Sequence, residues 1–469
     1  MSCVLLEATD KLGGLWTYRK DMDYGAMSFT HINVSKYNYC FSDFPFPDSQ
    51  SDYPSHSVFS QYIRDYALHF NLLDFIHFNH RVTAVKDEGK EWRLEVEISH
   101  SNSDAKILKS DKLLLATGHH VTPKYVQFPG IDTFPGKIIH SCAYKNAHVN
   151  QLEGKSVLVV GIGNSAVDAA TDLANRDCKV HLSTRSGAWI IPNYIHGHPT
   201  DLYASRFVLS LPWKCLNFIL ESVISFIFGS PHKWGLNPRM RALQTQPTVS
   251  ATFIHYTQRQ FIRLKGNIQE VQKSTVTFND GTREEFDAIL MCTGYDINLD
   301  FLDDQIKRMV LNSKRENEIE LYKQVFSPQI GTRLGFIGFV QPSSGGVLMC
   351  SEVQAQWFVA LCRNLTHLPD KQSMIRSIES DRKKSMSRYY DSPRHTIQVD
   401  PIVYCDELSR TFGGKPEVSR HLGLARRLLF GSCGPAQYRL QGPFKTAEAK
   451  KLRQFSVANT LKISAKSTM

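Results

Sequence analysis

The sequence predicts an α/β chain built from two Rossmann-like dinucleotide-binding units, one split around the other, and three observations predict it. An apolar run, Ser156 to Val160, leads through Gly161-x-Gly163-x-x-Ala166 into a helical stretch, Asn164 to Asn175, and on to a second strand, Cys178 to Ser183. A buried-strand pattern ending in Thr-Gly occurs twice, as KLLLATG over 112–118 and as DAILMCTG over 287–294. That echo predicts two related units that hand the chain over at equivalent points. Third, a short strand closing on an acid, Ser2 to Glu7, lies far outside the central unit.

Taken in order, Ser2 to Glu7 reads as a strand whose acid can hold a ribose, followed by a turn at Gly13-Gly14-Leu15-Trp16. Such an acid normally lies about twenty residues after the first glycine of a phosphate-binding turn. Only six residues precede Glu7, so the first βα unit of this outer domain is expected to be missing from the chain. Residues 24–53 form an irregular polar and aromatic loop that includes Asn33, Ser35 and Asn38. Ser57 to Phe70 reads as an amphipathic helix, and Arg81 to Lys86 with Glu91 to Ile98 as a hairpin. After the central unit, residues 207–229 are the most apolar stretch, interrupted by Pro212, Lys214, Asn217 and Glu221. Charges inside a span are costly, so this stretch reads as a surface-lying membrane segment or a buried insertion. A hairpin over 267–286 turns at Asn279-Asp280-Gly281, Leu334 to Val340 forms a strand before Gln341, and Ser351 to Arg363 forms a helix.

Composition narrows the function classes. The chain is 42% hydrophobic and 21% charged over 469 residues, as in a soluble globular protein with room for two or three domains. Its formal charge of +10 comes without arginine repeats or zinc-finger spacing, which argues against nucleic acid. Ten cysteines without paired spacing read as reduced thiols, and neither a metal site nor a secretory leader is expected.

The central motif has a specific physics. Gly161 permits a tight turn, Gly163 lets the backbone approach a pyrophosphate, Ala166 lets the helix pack closely on its strand, and the helix N-terminus faces the anion. At the end of the second strand an NAD site would place an acid. Here stand Ser183, Thr184 and Arg185, which favour the 2′-phosphate of NADP.

Phe134-x-Gly136-x-x-x-His140-x-x-x-Tyr144 resembles the F-x-G-x-x-x-H-x-x-x-Y/F signature of the flavin-containing monooxygenases. Supporting motifs follow in order: Glu7 with Gly13 to Trp16, Asn33-Val34-Ser35-Lys36 before Asp43 to Pro47, Ala116 to His120, Gly161 to Ala166, Arg185 to Gly187, Thr293 to Tyr295 and Arg394 to Asp400. The resemblance implies an FAD domain (1–145 and 296–446) split around an NADP domain (150–295). That inner domain carries an apolar insertion around 190–255, and a polar tail follows at 447–469. It implies Glu7 on the FAD ribose, Leu15 and Trp16 packed near it, and Asn33, Val34 and Gln341 by the cofactor, with Asn33 the catalytic amide. Gly161, Gly163, Asn164, Ser165, Ala166, Val167, Asp168 and Arg185 would serve NADP.

The implied chemistry is hydride transfer from NADPH to FAD, then reaction with O₂ to a flavin C4a-hydroperoxide that oxygenates nucleophilic nitrogen or sulfur of small xenobiotic-like substrates. The cofactor carries the hard step, so little acid-base machinery is required of the protein. The implied location is the cytosolic face of the endoplasmic reticulum membrane, reached through 207–229, with the cytoplasm as alternative. Three departures stand out: the outer phosphate turn would lie upstream of Met1, Gln356 replaces the usual arginine and is expected to loosen a salt bridge, and no hydrophobic C-terminal anchor is expected. The first leaves open a second reading, an NADP-binding homologue without flavin or catalysis. Apart from the resemblance, Asn33 reads as a loop-capping amide and His140 as a structural ring.

Overall fold

Apolar runs buried on both faces pair as parallel strands covered by helices, and the central sheet is built from such runs. The computed structural model describes residues 2–99, 105–313, 315, 317–390 and 396–450. Five parallel strands, β1 (Lys137–His140), β2 (Ser156–Val160), β3 (Lys179–Ser183), β4 (Ile262–Lys265) and β5 (Ala288–Met291), lie in the order β4-β3-β2-β5-β1. Helix α1 (Asn164–Ala174) buries Ala166, Val167, Ala170 and Leu173 against Val157, Val159 and Val180. The strand that carries His140, β1, enters this sheet from upstream of residue 150.

The outer unit is made of smaller sheets. Leu113–Leu115 pairs in parallel with Leu334–Phe336, and Leu5–Leu6 with Ile76–His77. The expected hairpin is present as His80–Asp87 and Trp92–Ile98, with Trp92, Leu94 and Val96 buried. A third strand, Lys106–Ser110, extends it. That strand escaped the pattern because its lysines flank Ile107, an apolar residue left half exposed. Similarly, the hairpin over 267–286 is a three-stranded meander, Ile268–Gln272, Thr275–Phe278 and Arg283–Glu285, because Lys273 takes φ +52° and adds a turn.

Both Thr-Gly ends turn through a left-handed glycine, Gly118 at φ +78° and Gly294 at φ +87°. Beyond them, Thr122–Pro123 pairs antiparallel with Tyr295–Asp296, and Lys124 Nζ lies 3.2 Å from Asp296. The two segments that cross between the units therefore run side by side.

The apolar stretch over 207–229 is two helices, α2 (Arg206–Ser210) and α3 (Trp213–Phe228), separated at Pro212, which lacks the N–H needed to continue a helix. Among the described residues no helix is long and apolar enough to cross a membrane. Helix α3 leaves Phe218 68% and Phe226 92% exposed. Helix α4 (Ala425–Phe430) abuts α2, with the Phe207 and Phe430 rings 5.0 Å apart. All ten cysteines are free thiols. Residues 451–469 of the polar tail, and Arg394 and His395, lie outside the described residues.

Candidate functional site

Two glycines in the central turn do different work. Gly161 has φ +125°, and a Cβ there would lie 2.4 Å from the Cys292 carbonyl oxygen, so the fold itself demands glycine. Gly163 has φ −76°, and a Cβ there would meet nothing within 4 Å. It opens α1 as the N-cap, with no side-chain cap, which leaves first-turn N–H groups for an anion. Ser165 is exposed beside it, while Ala166 and Val167 are buried toward the sheet. Asn164 Oδ1 accepts from Val249 N–H at 2.8 Å, and Thr248 Oγ1 donates to the Ile162 carbonyl at 2.9 Å, so the insertion returns against this turn.

Asp168, on the next turn of α1, is half-buried, and burial pushes its carboxyl up to about 7. An acid raised in the folded state destabilises the fold once the unfolded chain ionises, so stability falls as pH rises from 3.8 toward about 7. In the NADP-free protein, Asp168→Asn is expected to match the parent near pH 3.8 and to become progressively more stable above it, levelling off beyond pH 7. Denaturant midpoints measured across that range check this.

At the end of β3 the three expected phosphate contacts separate. The Ser183 hydroxyl is buried and donates to the Gly266 carbonyl at 2.7 Å, which removes it from the surface. Thr184 Oγ1 accepts from Gly187 N–H at 3.1 Å. Arg185 is exposed and has no ion-pair partner among the described residues. If this cation meets the 2′-phosphate, an Arg185→Ala protein is expected to show KM for NADPH raised about 10- to 100-fold, with NADH use little changed. Steady-state kinetics with both cofactors test it.

The signature strand is a clamp. His140 Nε2 lies 3.0 Å from the Gly294 carbonyl, and Nδ1 accepts from Cys142 N–H at 3.2 Å, so the ring is neutral with its proton on Nε2. Burial lowers its pKa further. Tyr144 donates to Asp172 Oδ2 on α1 at 2.6 Å. Strand β1 is thereby tied to β5 and α1, and His140 is structural.

In the polar loop, Ile32 and Val34 are buried, and Asn33 between them is half-buried. The Asn33 amide makes no hydrogen bond to another described residue, so it caps no loop. Its neighbours are committed: Lys36 Nζ donates to the carbonyls of Pro47, Asp48 and Gln50, and Ser35 and Asn38 donate to Asp201. Glu7 Oε1 accepts from Thr9 N–H at 2.8 Å and Thr9 Oγ1 at 2.7 Å, leaving Oε2 without a partner among the described residues. Leu15 is exposed, and Trp16 sets its edge against Phe59 at 5.1 Å and Tyr39 at 5.9 Å. Gln341 Nε2 donates to Gln246 Oε1 of the insertion. His119 donates from Nδ1 to the Gly338 carbonyl, and burial pushes it down to about 3 and His120 to about 4, so both are neutral.

Where the resemblance has an arginine, Gln356 Nε2 donates to Glu352 Oε1 at 3.2 Å. Glu352 also accepts from Ser42 N–H at 2.9 Å and from the Ser42 hydroxyl, and burial pushes its carboxyl up. Hydrogen bonds hold this acid at the position where the change from arginine to glutamine was expected to loosen a salt bridge.

The family model described as flavin-binding monooxygenase-like matches residues 1–466. The chain belongs to this family. Flavin-containing monooxygenase 5 of Mus musculus is 36% identical over 471 residues, covering 96% of this chain and 86% of that protein. Dimethylaniline monooxygenase [N-oxide-forming] 2 of Oryctolagus cuniculus is 32% identical over 457 residues, covering 93% and 84%. Among solved structures, an S-allyl-L-cysteine S-oxygenase from Allium sativum shares the fold with a TM-score of 0.63 at 21% identity, covering 87% of this chain and 82% of that one. The chain is therefore an FAD- and NADPH-dependent monooxygenase, a flavoprotein that takes O₂ and a small-molecule substrate.

Sequence reading missed Asp201, Gln246 and Thr248. None lies in a spaced motif, and their partners stand between 86 and 166 positions away. Such contacts leave no local signal beyond a polar residue inside an apolar insertion.

Proposed function

We propose that residues 1–145 and 296–446 hold FAD, that residues 150–295 hold NADPH, and that the enzyme oxygenates nucleophilic nitrogen or sulfur on small substrates. The open face of Gly163 carries this reading, because no described residue comes within 4 Å of a Cβ there, whereas a pyrophosphate needs that space. Gly161 turns the chain, backbone N–H groups of Asn164 and Ser165 meet the phosphates, Ala166 and Val167 keep helix and strand close, Asp168 lines the same helix, and Arg185 meets the 2′-phosphate. On the other side the free oxygen of Glu7 fits the ribose of FAD, with Leu15 and Trp16 as cover and Val34 and Gln341 near the ring. FAD supplies the oxygen activation and NADPH the hydride. The uncommitted Asn33 amide donates a hydrogen bond to the activated oxygen without offering it an acid proton. The names of the rabbit relative, for N-oxide formation, and of the garlic S-oxygenase support both nucleophile classes.

After reconstitution and gel filtration, the protein is expected to retain close to one FAD per chain and to consume NADPH faster with a thioether or N,N-dimethylaniline present. A chain that retains no flavin overturns the reading.

We propose further that the enzyme sits on a membrane surface, on the cytosolic face of the endoplasmic reticulum. The support is an apolar face of two elements: Phe218, Ile219, Phe226 and Ile227 on α3, with Leu429 and Phe430 on α4. Exposed Arg426 and Arg427 stand beside it, suited to anionic headgroups. The protein is expected to float with liposomes containing phosphatidylserine, and a Phe218→Ser/Phe226→Ser protein to remain in the soluble fraction with its NADPH oxidation intact. Equal flotation of both proteins contradicts the proposal.

A further inference from the structure

Asp201 lies in a short turn of the insertion, Thr200–Tyr203, yet its carboxylate serves the loop that carries Asn33. Oδ1 accepts from Ser35 N–H at 3.2 Å, and Oδ2 accepts from Ser35 Oγ at 2.8 Å and from Asn38 Nδ2 at 2.7 Å. Ser35 and Asn38 are both buried, and Asn38 Oδ1 accepts in turn from Ser432 Oγ at 3.2 Å. A carboxylate, an acceptor at both oxygens, satisfies all three donors at once; an amide does not. On the loop's other flank, Ile32 N–H donates to the Pro54 carbonyl at 2.9 Å and Lys36 is held by the carbonyls of 47–50. Between these anchors the Asn33 amide has no hydrogen bond to another described residue.

We propose that Asp201 is the positioning residue for Asn33, holding the 33–38 loop from the insertion so that the free amide keeps one place in the site. The inference rests on the reading that Asn33 serves the activated oxygen. With the amide in place, NADPH, H⁺, O₂ and substrate give NADP⁺, H₂O and the oxygenated substrate. With it displaced, oxygen leaves before transfer, and NADPH, H⁺ and O₂ give NADP⁺ and H₂O₂.

The test measures product and hydrogen peroxide per NADPH consumed, with a thioether as substrate, alongside the anaerobic rate of flavin reduction by NADPH. Asp201→Asn in the FAD-loaded enzyme is expected to lower product per NADPH about tenfold, with peroxide making up the difference, while flavin reduction changes by less than about twofold. Ser35→Ala, which removes one of the three donors to Asp201 and keeps the carboxylate, is expected to do the same in smaller degree, and the double variant to be no worse than Asp201→Asn alone. If Asp201→Asn does not fold, Ser35→Ala carries the test. Normal coupling in the Asp201 and Ser35 variants beside strong leakage in Asn33→Ala overturns this inference alone. Normal coupling in Asn33→Ala overturns the reading beneath it. Equal slowing of flavin reduction and product formation makes Asp201 merely structural and overturns the inference.

Discussion

A valine at position 163 is expected to leave the protein folded and to remove its use of NADPH. The added side chain enters open space, where a Cβ finds no atom within 4 Å, so the melting temperature should stay within about 2 °C of the parent. On the proposed reading the same space is where backbone N–H groups approach a pyrophosphate, and filling it is expected to raise KM for NADPH at least about 100-fold, close to 3 kcal/mol. Gly161→Val provides the contrast. There the Cβ would stand 2.4 Å from the Cys292 carbonyl at φ +125°, so destabilisation of several kcal/mol is expected, and binding is lost because the turn is lost. Thermal melts and cofactor titrations on the pair separate a glycine demanded by the ligand from one demanded by the fold. An unchanged KM in Gly163→Val would mean that NADPH lies elsewhere.

Arg206→Ala is expected to destabilise the protein by about 3–5 kcal/mol, because it strips one partner from a buried ion pair. Arg206, at the start of α2, donates from Nε to Asp406 Oδ2 at 2.9 Å and from Nη2 to Oδ1 at 2.8 Å, and also donates to Gln437 and to the Leu428 carbonyl. Both side chains are less than 15% exposed. Removing the cation leaves Asp406 buried with the Tyr438 hydroxyl as donor at 2.9 Å and Lys415 Nζ, at 3.9 Å, as its remaining cation. The Arg206→Met/Asp406→Leu pair, which removes both charges and keeps volume, should recover much of the loss. The contact joins the insertion to the C-terminal part of the chain, so denaturant midpoints should fall for Arg206→Ala even with FAD present.

The sequence made the central unit legible almost to the residue, since β2, α1 and β3 begin and end within one position of their periodic patterns. Apolar runs of buried strands and a glycine turn are local signals, readable without knowing any distant partner. The Thr-Gly echo was legible for the same reason. Less was readable where short strands lie on partly exposed sheets: Lys106–Ser110 shows no clean alternation, and the turn at Lys273 uses a residue type with no turn preference. In the site, residue types pointed to Arg185 but also to Ser183, whose hydroxyl is taken by a carbonyl 83 positions away. Asp201 and Arg206 were invisible, because long-range polar contacts depend on how the insertion folds back and on no spacing within it. Gln356 was read as a loosened salt bridge, and its hydrogen bond to Glu352 explains how the position tolerates an amide.

The most direct test of a monooxygenase that draws hydride from the Gly163 cradle and oxygen from air is isotope transfer. The FAD-loaded protein is incubated with NADPH, a thioether and ¹⁸O₂ in ordinary water, and the sulfoxide is weighed by mass spectrometry against NADPH consumed. The expected result is one ¹⁸O atom per sulfoxide, about one sulfoxide per NADPH, and loss of both in Gly163→Val. Sulfoxide carrying oxygen from water, or formed without NADPH, would contradict it.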